Sequence, residues 1–187
     1  MIRMDSKDKG VFAKYFKLRK DIDALCEELS MVHRDHLTCK NGCDFCCMAI
    51  SVFPVEFYAI REELGDKINH LQLPELKDPE DCRFLNKHSC SIYQSRPIIC
   101  RTHGLPLLYM NNDGTEWELS HCELNFTDYD PDDFSHENTY PQDTLNSKLF
   151  MVNKEFVATF ANVKYSESDR IPLSDLLKLD ETAIGDE

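Results

Sequence analysis

Four cysteines within nine residues, in the run CKNGCDFCC, constrain this sequence more than any other feature. Four further cysteines are spread over the middle of the chain: Cys82, Cys90, Cys100 and Cys122. Thiolates are soft ligands that suit zinc, copper(I) and iron–sulfur clusters. The sequence therefore predicts a fold organised around a metal centre that is held by cysteine.

The cellular compartment that the sequence predicts favours metal ligation by the cysteines over disulfide bonds. The opening residues, MIRMDSKDKGVF, lack the apolar run of a signal peptide. No stretch of about 18 apolar residues is present that could span a membrane. We therefore expect a cytoplasmic protein with no membrane partner, whose thiols stay reduced. The odd count of nine cysteines also fits a disulfide framework poorly.

Charge and length limit the partners and the organisation of the chain. A net charge of −13 argues against non-specific nucleic-acid binding, because such binding needs a basic face. The 187 residues suit one domain. We expect that domain over residues 1–187, with a metal-binding core at 39–122 and a flexible acidic tail at 180–187.

Helices are predicted on both sides of the cysteine-rich part. Alternating steps of four and three residues predict a long helix over 9–36, and a similar pattern predicts another over 144–161. Asp143 is expected to be the N-cap of the second. A shorter helix is predicted over 54–64, with proline in its first turn and Gly65 as its stop. The apolar stripe of the helix predicted over 9–36 comprises Val11, Tyr15, Leu18, Ile22, Leu25, Leu29 and Val32.

The cysteine-rich middle predicts little regular structure. Residues 82–104 read as short strands or irregular loops, which are common near a metal because the metal supplies the cross-link. Residues 105–121 predict a β-hairpin around an Asp-Gly turn, and an acidic surface loop is expected over 123–143. A short helical turn is expected over 173–179. The predicted class is α+β, mostly helical, with long helices packed on a cysteine-rich irregular centre and a short hairpin.

The spacing of the cysteines leaves the kind of centre open. Four cysteines can close a tetrahedral zinc site, and four can equally hold a [4Fe–4S] cluster. Adjacent side chains usually diverge, so either one of Cys46 and Cys47 is a ligand, or the two serve different metals. Eight cysteines suffice for two four-cysteine sites or for one multinuclear centre with shared sulfurs. The candidate ligands are Cys39, Cys43, Cys46, Cys47, Cys82, Cys90, Cys100 and Cys122.

Other titratable residues are expected to have structural roles. Cys26 lies beside the apolar stripe of the first helix, so we expect a small buried hydrophobe. His33 and His36 lie one helical turn apart and could be ligands, but an imidazole also suits the C-terminal end of a helix dipole. His103 and His121 are expected near the ligands or at the surface.

The cysteine motifs resemble those of the YkgJ-type cysteine-cluster family, which is described as zinc- or iron-chelating. The resemblance rests on CKNGCDFCC, then CRFL, then CSIYQSRPIICR, and it covers residues 39–122. The chain departs from the family pattern in having three residues, not two, between Cys39 and Cys43. The resemblance implies metal binding, with an iron–sulfur cluster favoured and zinc as the alternative.

Arg96 and Arg101 flank Cys100 and are expected to assist the cofactor. A four-thiolate site with zinc or [4Fe–4S]²⁺ carries a net charge near −2. Arginine nearby would offset that charge and donate hydrogen bonds to sulfur. The alternative is that Arg96 pairs with a surface carboxylate.

Three functions follow from these features. The first is an iron–sulfur protein with a redox or electron-transfer role and a protein redox partner. The second is a structural zinc protein that mediates partner interactions. The third is an enzyme linked to S-adenosylmethionine, because Cys39-x3-Cys43-x2-Cys46 has the radical SAM spacing and a flagellin lysine methylase family is similar in its cluster. The sequence contains no P-loop and no G-x-G-x-x-G motif that would indicate an enzyme, so whether the protein is an enzyme stays open. Copper transfer is a weaker hypothesis, because the six methionines do not cluster.

Overall fold

The computed structural model describes residues 6–40, 42–76, 78–160 and 164–178. Within these ranges the chain has four α-helices and three small sheets, which confirms the predicted α+β class. The helices are α1 at Ser6–Val32, α2 at Pro54–Leu64, α3 at Ile98–Thr102 and α4 at Gln142–Thr159. None of the described helices is long and apolar enough to cross a bilayer.

The core forms where α1, α2 and α4 pack on one another. The ring centroids of Phe12 and Phe156 lie 5.6 Å apart in a stacked arrangement, which joins α1 to α4. Tyr58 of α2 lies 4.6 Å from the ring of Phe160, just beyond the end of α4. Such ring contacts contribute beyond their buried area.

The first helix ends earlier than its predicted boundary at residue 36. The stripe residues at positions 11, 15, 18, 22 and 29 are buried, but Val32 is 59% exposed. The chain turns at His33 because this imidazole is buried, with Nε2 2.6 Å from the Asn138 carbonyl oxygen. The ring also meets Phe126 edge-on at 5.1 Å. Both histidines therefore lie beyond the end of α1, although the rings of His33 and His36 still lie together, since both contact Phe126 and Tyr129.

The second helix has the predicted bounds and carries a buried carboxyl group. Gly65 ends it with a φ of 49°, and its N–H bonds the Arg61 carbonyl. Glu56 accepts hydrogen bonds from the Ile98 backbone N–H at 3.0 Å and from the Tyr15 hydroxyl at 3.4 Å. Glu56 thereby joins α2 to the start of α3, the helix that carries Cys100.

The last long helix begins two residues before the predicted start. Pro141 occupies the N-cap position and makes no side-chain capping bond, so the prediction of Asp143 as N-cap is wrong. The Asp143 carboxylate instead accepts a hydrogen bond from the Met110 backbone N–H at 2.7 Å. The predicted helix end at residue 161 lies outside the described residues.

The strands are short and form three sheets. The predicted hairpin is present, and a parallel strand joins it; a separate two-stranded pair joins residues 51–52 to residues 171–172. Neither addition was predicted, because strands of two residues show no alternation of apolar and polar side chains. The strands are β1 at Ser51–Val52, β2 at Leu85–Asn86, β3 at Ser89–Cys90, β4 at Leu107–Met110, β5 at Trp117–Ser120, β6 at Tyr140–Pro141 and β7 at Ile171–Pro172. The pairs β1–β7, β2–β3 and β4–β5 are antiparallel, whereas β4–β6 is parallel.

Turns of 3₁₀ helix connect these elements. Leu173–Leu177 matches the predicted helical turn near the end of the chain, whereas residue 179 and the predicted tail at 180–187 lie outside the described residues. The stretch expected to be an acidic surface loop contains buried side chains, including Phe126 at 5% exposure. The other 3₁₀ segments are Gly65–His70, Tyr93–Ser95 and Pro131–Asp133.

Candidate metal centre

The first group of thiols forms where the loop after α1 meets the segment after β5. The Thr38 backbone N–H donates to Asn125 Oδ1 at 2.9 Å, and the Thr38 hydroxyl donates to the Leu124 carbonyl at 2.9 Å. The Asn125 N–H bonds the Cys122 carbonyl at 2.9 Å in a tight turn. These bonds bring Cys39, next to Thr38, close to Cys122.

Asn125 and Gly104 shape the space around the Cys39 sulfur. The Asn125 amide donates to Cys39 Sγ at 3.3 Å and to the Gly104 carbonyl at 2.8 Å, and it is 1% exposed. Gly104 has a φ of 93°, and a β-carbon there would lie 2.7 Å from Cys39 Sγ. The sulfur therefore occupies space that only glycine leaves open. No sequence motif identifies Asn125 or Gly104, because their contacts with Cys39 join residues that are far apart in the chain.

Two successive turns lead from Cys39 to the adjacent cysteines. The Cys43 N–H bonds the Lys40 carbonyl at 2.9 Å, and the Cys47 N–H bonds the Asp44 carbonyl at 2.8 Å. Such bonds between residues three apart are those of β-turns, which reverse the chain direction. They fold the cysteine-rich run into a compact loop.

The thiols of the first group act on one another. Burial raises the pKa of Cys46, and the charges of its three neighbouring thiolates raise it further. Burial likewise raises the pKa of Cys39, an effect that the Asn125 hydrogen bond opposes. This first group consists of Cys39, Cys43, Cys46 and Cys122.

Cys47 faces a different part of the chain. Met48 and Asp81 form an antiparallel bridge. In an antiparallel pairing the residue before one partner lies opposite the residue after the other. Cys47 is therefore brought opposite Cys82.

The β2–β3 hairpin adds the next thiol. Leu85 pairs with Cys90 across the hairpin, and the Leu85 N–H bonds the Cys82 carbonyl at 3.1 Å. Its turn residues Lys87 and His88 both have positive φ, at 48° and 63°. This tight reversal places Cys90 near Cys82.

Cys100, on α3, completes the second group. Burial, together with the charges of the neighbouring thiolates, raises the pKa of Cys100 to about 12. Burial also raises the pKa of Cys47 to about 12. The second group consists of Cys47, Cys82, Cys90 and Cys100.

The cysteine thiols are suitable ligands for a soft metal, although the four sulfurs of neither group are arranged around a metal position. All nine cysteines are free thiols. Within the described ranges, no three cysteine, histidine, aspartate or glutamate side chains already converge closely enough to hold an ion. Thiolates are the preferred ligands of zinc and of iron–sulfur clusters. A metal would have to displace the thiol protons and draw the four sulfurs of a group together.

Arg96 offers unsatisfied hydrogen-bond donors beside the second group. Its guanidinium carbon lies 3.7 Å from the centroid of the Tyr93 ring. Its Nε and Nη1 are buried and have no hydrogen-bond partner among the described residues. Burial raises the pKa of Cys90 and of Cys100, and the positive charge of Arg96 opposes that rise. A thiolate or a cluster sulfide would satisfy these donors.

Arg101 makes different contacts from Arg96, the other arginine of the motif. It makes two hydrogen bonds to the Asp23 carboxylate, at 2.8 and 2.9 Å, and its Nε donates to the Arg96 carbonyl at 2.9 Å. It therefore ties α1 to the segment that precedes α3. The partners of Arg101 in these hydrogen bonds are thus oxygen atoms of a carboxylate and of a backbone carbonyl.

Cys26 and the histidines near the cysteines lie outside both groups. Cys26 is half-buried against the core, and burial raises its pKa to about 11. His36 Nδ1 lies 3.2 Å from an Asp128 carboxylate oxygen, and His121 Nδ1 lies 3.0 Å from the Cys122 carbonyl oxygen.

A separate cavity of about 700 Å³ lies beside α3. Its described lining includes Ile98, Glu56, His103 and Tyr140 but no cysteine. Burial raises the pKa of Glu56 and lowers the pKa of His103, so both groups favour their neutral forms. The cavity and the thiol groups thus use different residues of the same short helix and its flanks.

One comparison with known proteins gives a match. A family model described as "CxxCxxCC: Putative zinc- or iron-chelating domain" matches residues 38–123. This segment contains all eight thiols of the two groups and confirms the resemblance seen in the motifs. No curated protein and no solved structure matches the chain.

Proposed function

Residues 38–123 belong to the CxxCxxCC family of zinc- or iron-chelating domains, and from this premise we propose that the chain holds an iron–sulfur cluster and transfers electrons. The observation that carries the proposal is the collection of eight free thiols from separate segments into two groups of four. Four thiolates are the usual ligand set of a [4Fe–4S] cluster.

The environment of the thiols supports a redox role. Cys39 and Cys43 are exposed, so the first group lies where a protein redox partner can approach. The second group is only partly exposed and has the Arg96 guanidinium nearby. Hydrogen bonds to sulfur and the degree of solvent exposure are the terms by which a protein sets the potential of a cluster.

Each residue near the thiols has its own task in this proposal. Asn125 orients Cys39 through the hydrogen bond to its sulfur. Arg96 lies beside the second group, where its charge would offset that of the bound thiolates and its unpartnered Nε and Nη1 would donate to sulfur. The bound cluster supplies the change of oxidation state. Glu56 fixes the start of α3 and so the position of Cys100.

Structural zinc binding is the second candidate, and the weak secondary structure favours it. Between residues 38 and 123, β2 and β3 have two residues each and α3 has five. Segments so short need a cross-link, which a four-cysteine zinc site supplies directly. In this case the centre would hold the loops in place for binding a protein partner.

Metal analysis of protein purified without oxygen tests both candidates. Iron together with acid-labile sulfide, and a visible absorption band that a reductant bleaches reversibly, would support the iron–sulfur proposal. A midpoint potential within roughly −700 to +450 mV is expected of such clusters. Stoichiometric zinc with a colourless protein would support the second candidate. Protein that retains neither metal would contradict both, and a cluster that no reductant bleaches would contradict electron transfer.

A further inference from the structure

The adjacent residues Cys46 and Cys47 divide the thiols between two regions of the fold. Neighbouring α-carbons are about 3.8 Å apart, and successive side chains in an extended or turning chain point in different directions. Here the Met48–Asp81 bridge brings Cys47 opposite Cys82, whereas Cys46 lies inside the turn closed by the bond from the Cys47 N–H to the Asp44 carbonyl. If Cys46 and Cys47 bound one metal, the side chains of two adjacent residues would have to converge on it.

Hydrogen bonds centred on Asn125 hold the first region together. Thr38 bonds Asn125 and Leu124, and Asn125 in turn bonds Cys39 and Gly104. The segments joined are the loop after α1, Gly104 two residues beyond the end of α3, and the turn after β5. The short helix α3 therefore adjoins both regions, because it carries Cys100 and leads to Gly104. Neither β2 nor β3 takes part in these bonds.

Backbone pairing within a separate set of segments holds the second region together. The Met48–Asp81 bridge and the bond from the Ala49 N–H to the Glu80 carbonyl, at 2.7 Å, join the residues after Cys47 to those before Cys82. The β2–β3 hairpin and α3 supply the remaining two cysteines. The two regions also touch, because His88 Nδ1 in the turn of the β2–β3 hairpin lies 2.8 Å from a carboxylate oxygen of Asp44, which lies between Cys43 and Cys46. Each region thus has four thiols and its own backbone or amide hydrogen bonds, in addition to this contact between them.

Charge also favours two separate centres. Four thiolates around a zinc ion or a [4Fe–4S]²⁺ core leave a net charge near −2 at each centre. The two regions meet that charge differently, with solvent exposure at Cys39 and Cys43 in one and the buried Nε and Nη1 of Arg96 beside the other. Arg96 adjoins only the second group, so its positive charge would offset one centre and not the other.

We infer that the chain holds two metal centres, one on the first group and one on the second, with the boundary between Cys46 and Cys47. This inference rests on the proposed metal binding and adds the number of centres and the division of the ligands. The ligand class is the same at both, namely a zinc ion or an iron–sulfur cluster bound by four thiolates.

Alanine variants of the two adjacent cysteines test the division. Metal per chain is measured in the wild type, Cys46→Ala, Cys47→Ala and the double variant, with Cys26→Ala as the matched control. Two centres predict that each single variant keeps about half of the wild-type metal, the double variant keeps almost none, and the control keeps all. Loss of all metal in both single variants would overturn the division, because it indicates one shared centre.

A second measurement needs no substitution and covers variants that fail to fold. Native mass spectrometry follows the wild-type holoprotein while a chelator removes its metal. Two centres predict a transient species that has lost one whole centre and kept the other, whereas a direct passage from full to empty would overturn the inference. Wild-type protein that binds no metal at all would instead defeat the proposed function, so the two failures are distinguishable.

Discussion

Asn125 donates a hydrogen bond to the sulfur of Cys39 at 3.3 Å while it bonds Thr38 and Gly104 with the rest of its amide. One buried side chain thus ties three chain segments to one thiol. The contact explains how a cysteine at an exposed loop is held in a defined position. It also gives the first group a residue whose removal can be tested.

Replacement of this asparagine is expected to affect both stability and metal content. Asn125→Ala leaves the Thr38 N–H and the Gly104 carbonyl without their partner, at a cost of about 1–3 kcal/mol in unfolding free energy. Metal content should fall by up to half, because only the first group is disturbed. Urea unfolding and metal analysis measure the two effects. The exposed Asn146→Ala on α4 is the control, with an expected change within about 0.5 kcal/mol. Full metal content and unchanged stability in Asn125→Ala would contradict this role.

Gly104→Ala tests the close approach of the Cys39 sulfur. The new β-carbon would lie 2.7 Å from Cys39 Sγ, and the φ of 93° disfavours any side chain. We expect a loss of about 1–2 kcal/mol from the backbone conformation alone, together with partial loss of metal. Gly10→Ala is the matched control. Gly10 lies in α1, and a β-carbon there would have no atom beyond its own helix backbone within 4 Å, so the free energy of unfolding should rise by about 0.5–1 kcal/mol. Equal behaviour of the two variants in denaturant unfolding would refute the assignment.

Arg96→Gln and Arg101→Gln are expected to separate a tuning role from a structural one. Arg96→Gln removes positive charge and N–H donors beside the second group, so the midpoint potential of an iron–sulfur centre there should become more negative. Arg101→Gln breaks the bonds to Asp23 and should lower stability by about 1–3 kcal/mol with little change in potential. Redox titration and thermal unfolding measure these effects. A larger potential shift in Arg101→Gln than in Arg96→Gln would reverse the two roles.

Metal affinity is expected to increase with pH. Burial raises the pKa of Cys47 and of Cys100 to about 12, so both thiols carry protons at neutral pH in the metal-free protein. A metal must displace these protons, and fewer free protons at higher pH make the displacement easier. Each displaced proton changes the affinity about tenfold per pH unit. Chelator competition from pH 6.5 to 8.5, corrected for protonation of the chelator, measures the slope. A flat profile would argue that thiolates are not the ligands.

Local sequence patterns predicted the three longer helices and both ends of α2, but not α3, the end of α1 or the start of α4. The apolar stripe that begins at Val11 identified α1, and proline and glycine identified the two ends of α2. The end of α1 depends on burial of His33 against Phe126, and the carboxylate of Asp143 bonds Met110 rather than capping α4. Both outcomes depend on residues far along the chain, so periodicity could not predict them.

The candidate site could be predicted as a set of cysteines but not as two groups. Spacing left open whether Cys46 and Cys47 serve the same metal. The division depends on the Met48–Asp81 bridge and on the bonds of Asn125, which join segments that are distant in sequence. Asn125 has no motif around it, so only the folded chain brings it to the thiols.

X-ray absorption at the metal edge of the purified holoprotein tests the central claim most directly. The account predicts a first shell of about four sulfur atoms per metal at about 2.3 Å, whether the metal is iron or zinc. A shell made mainly of nitrogen and oxygen atoms would contradict metal binding by the cysteine groups.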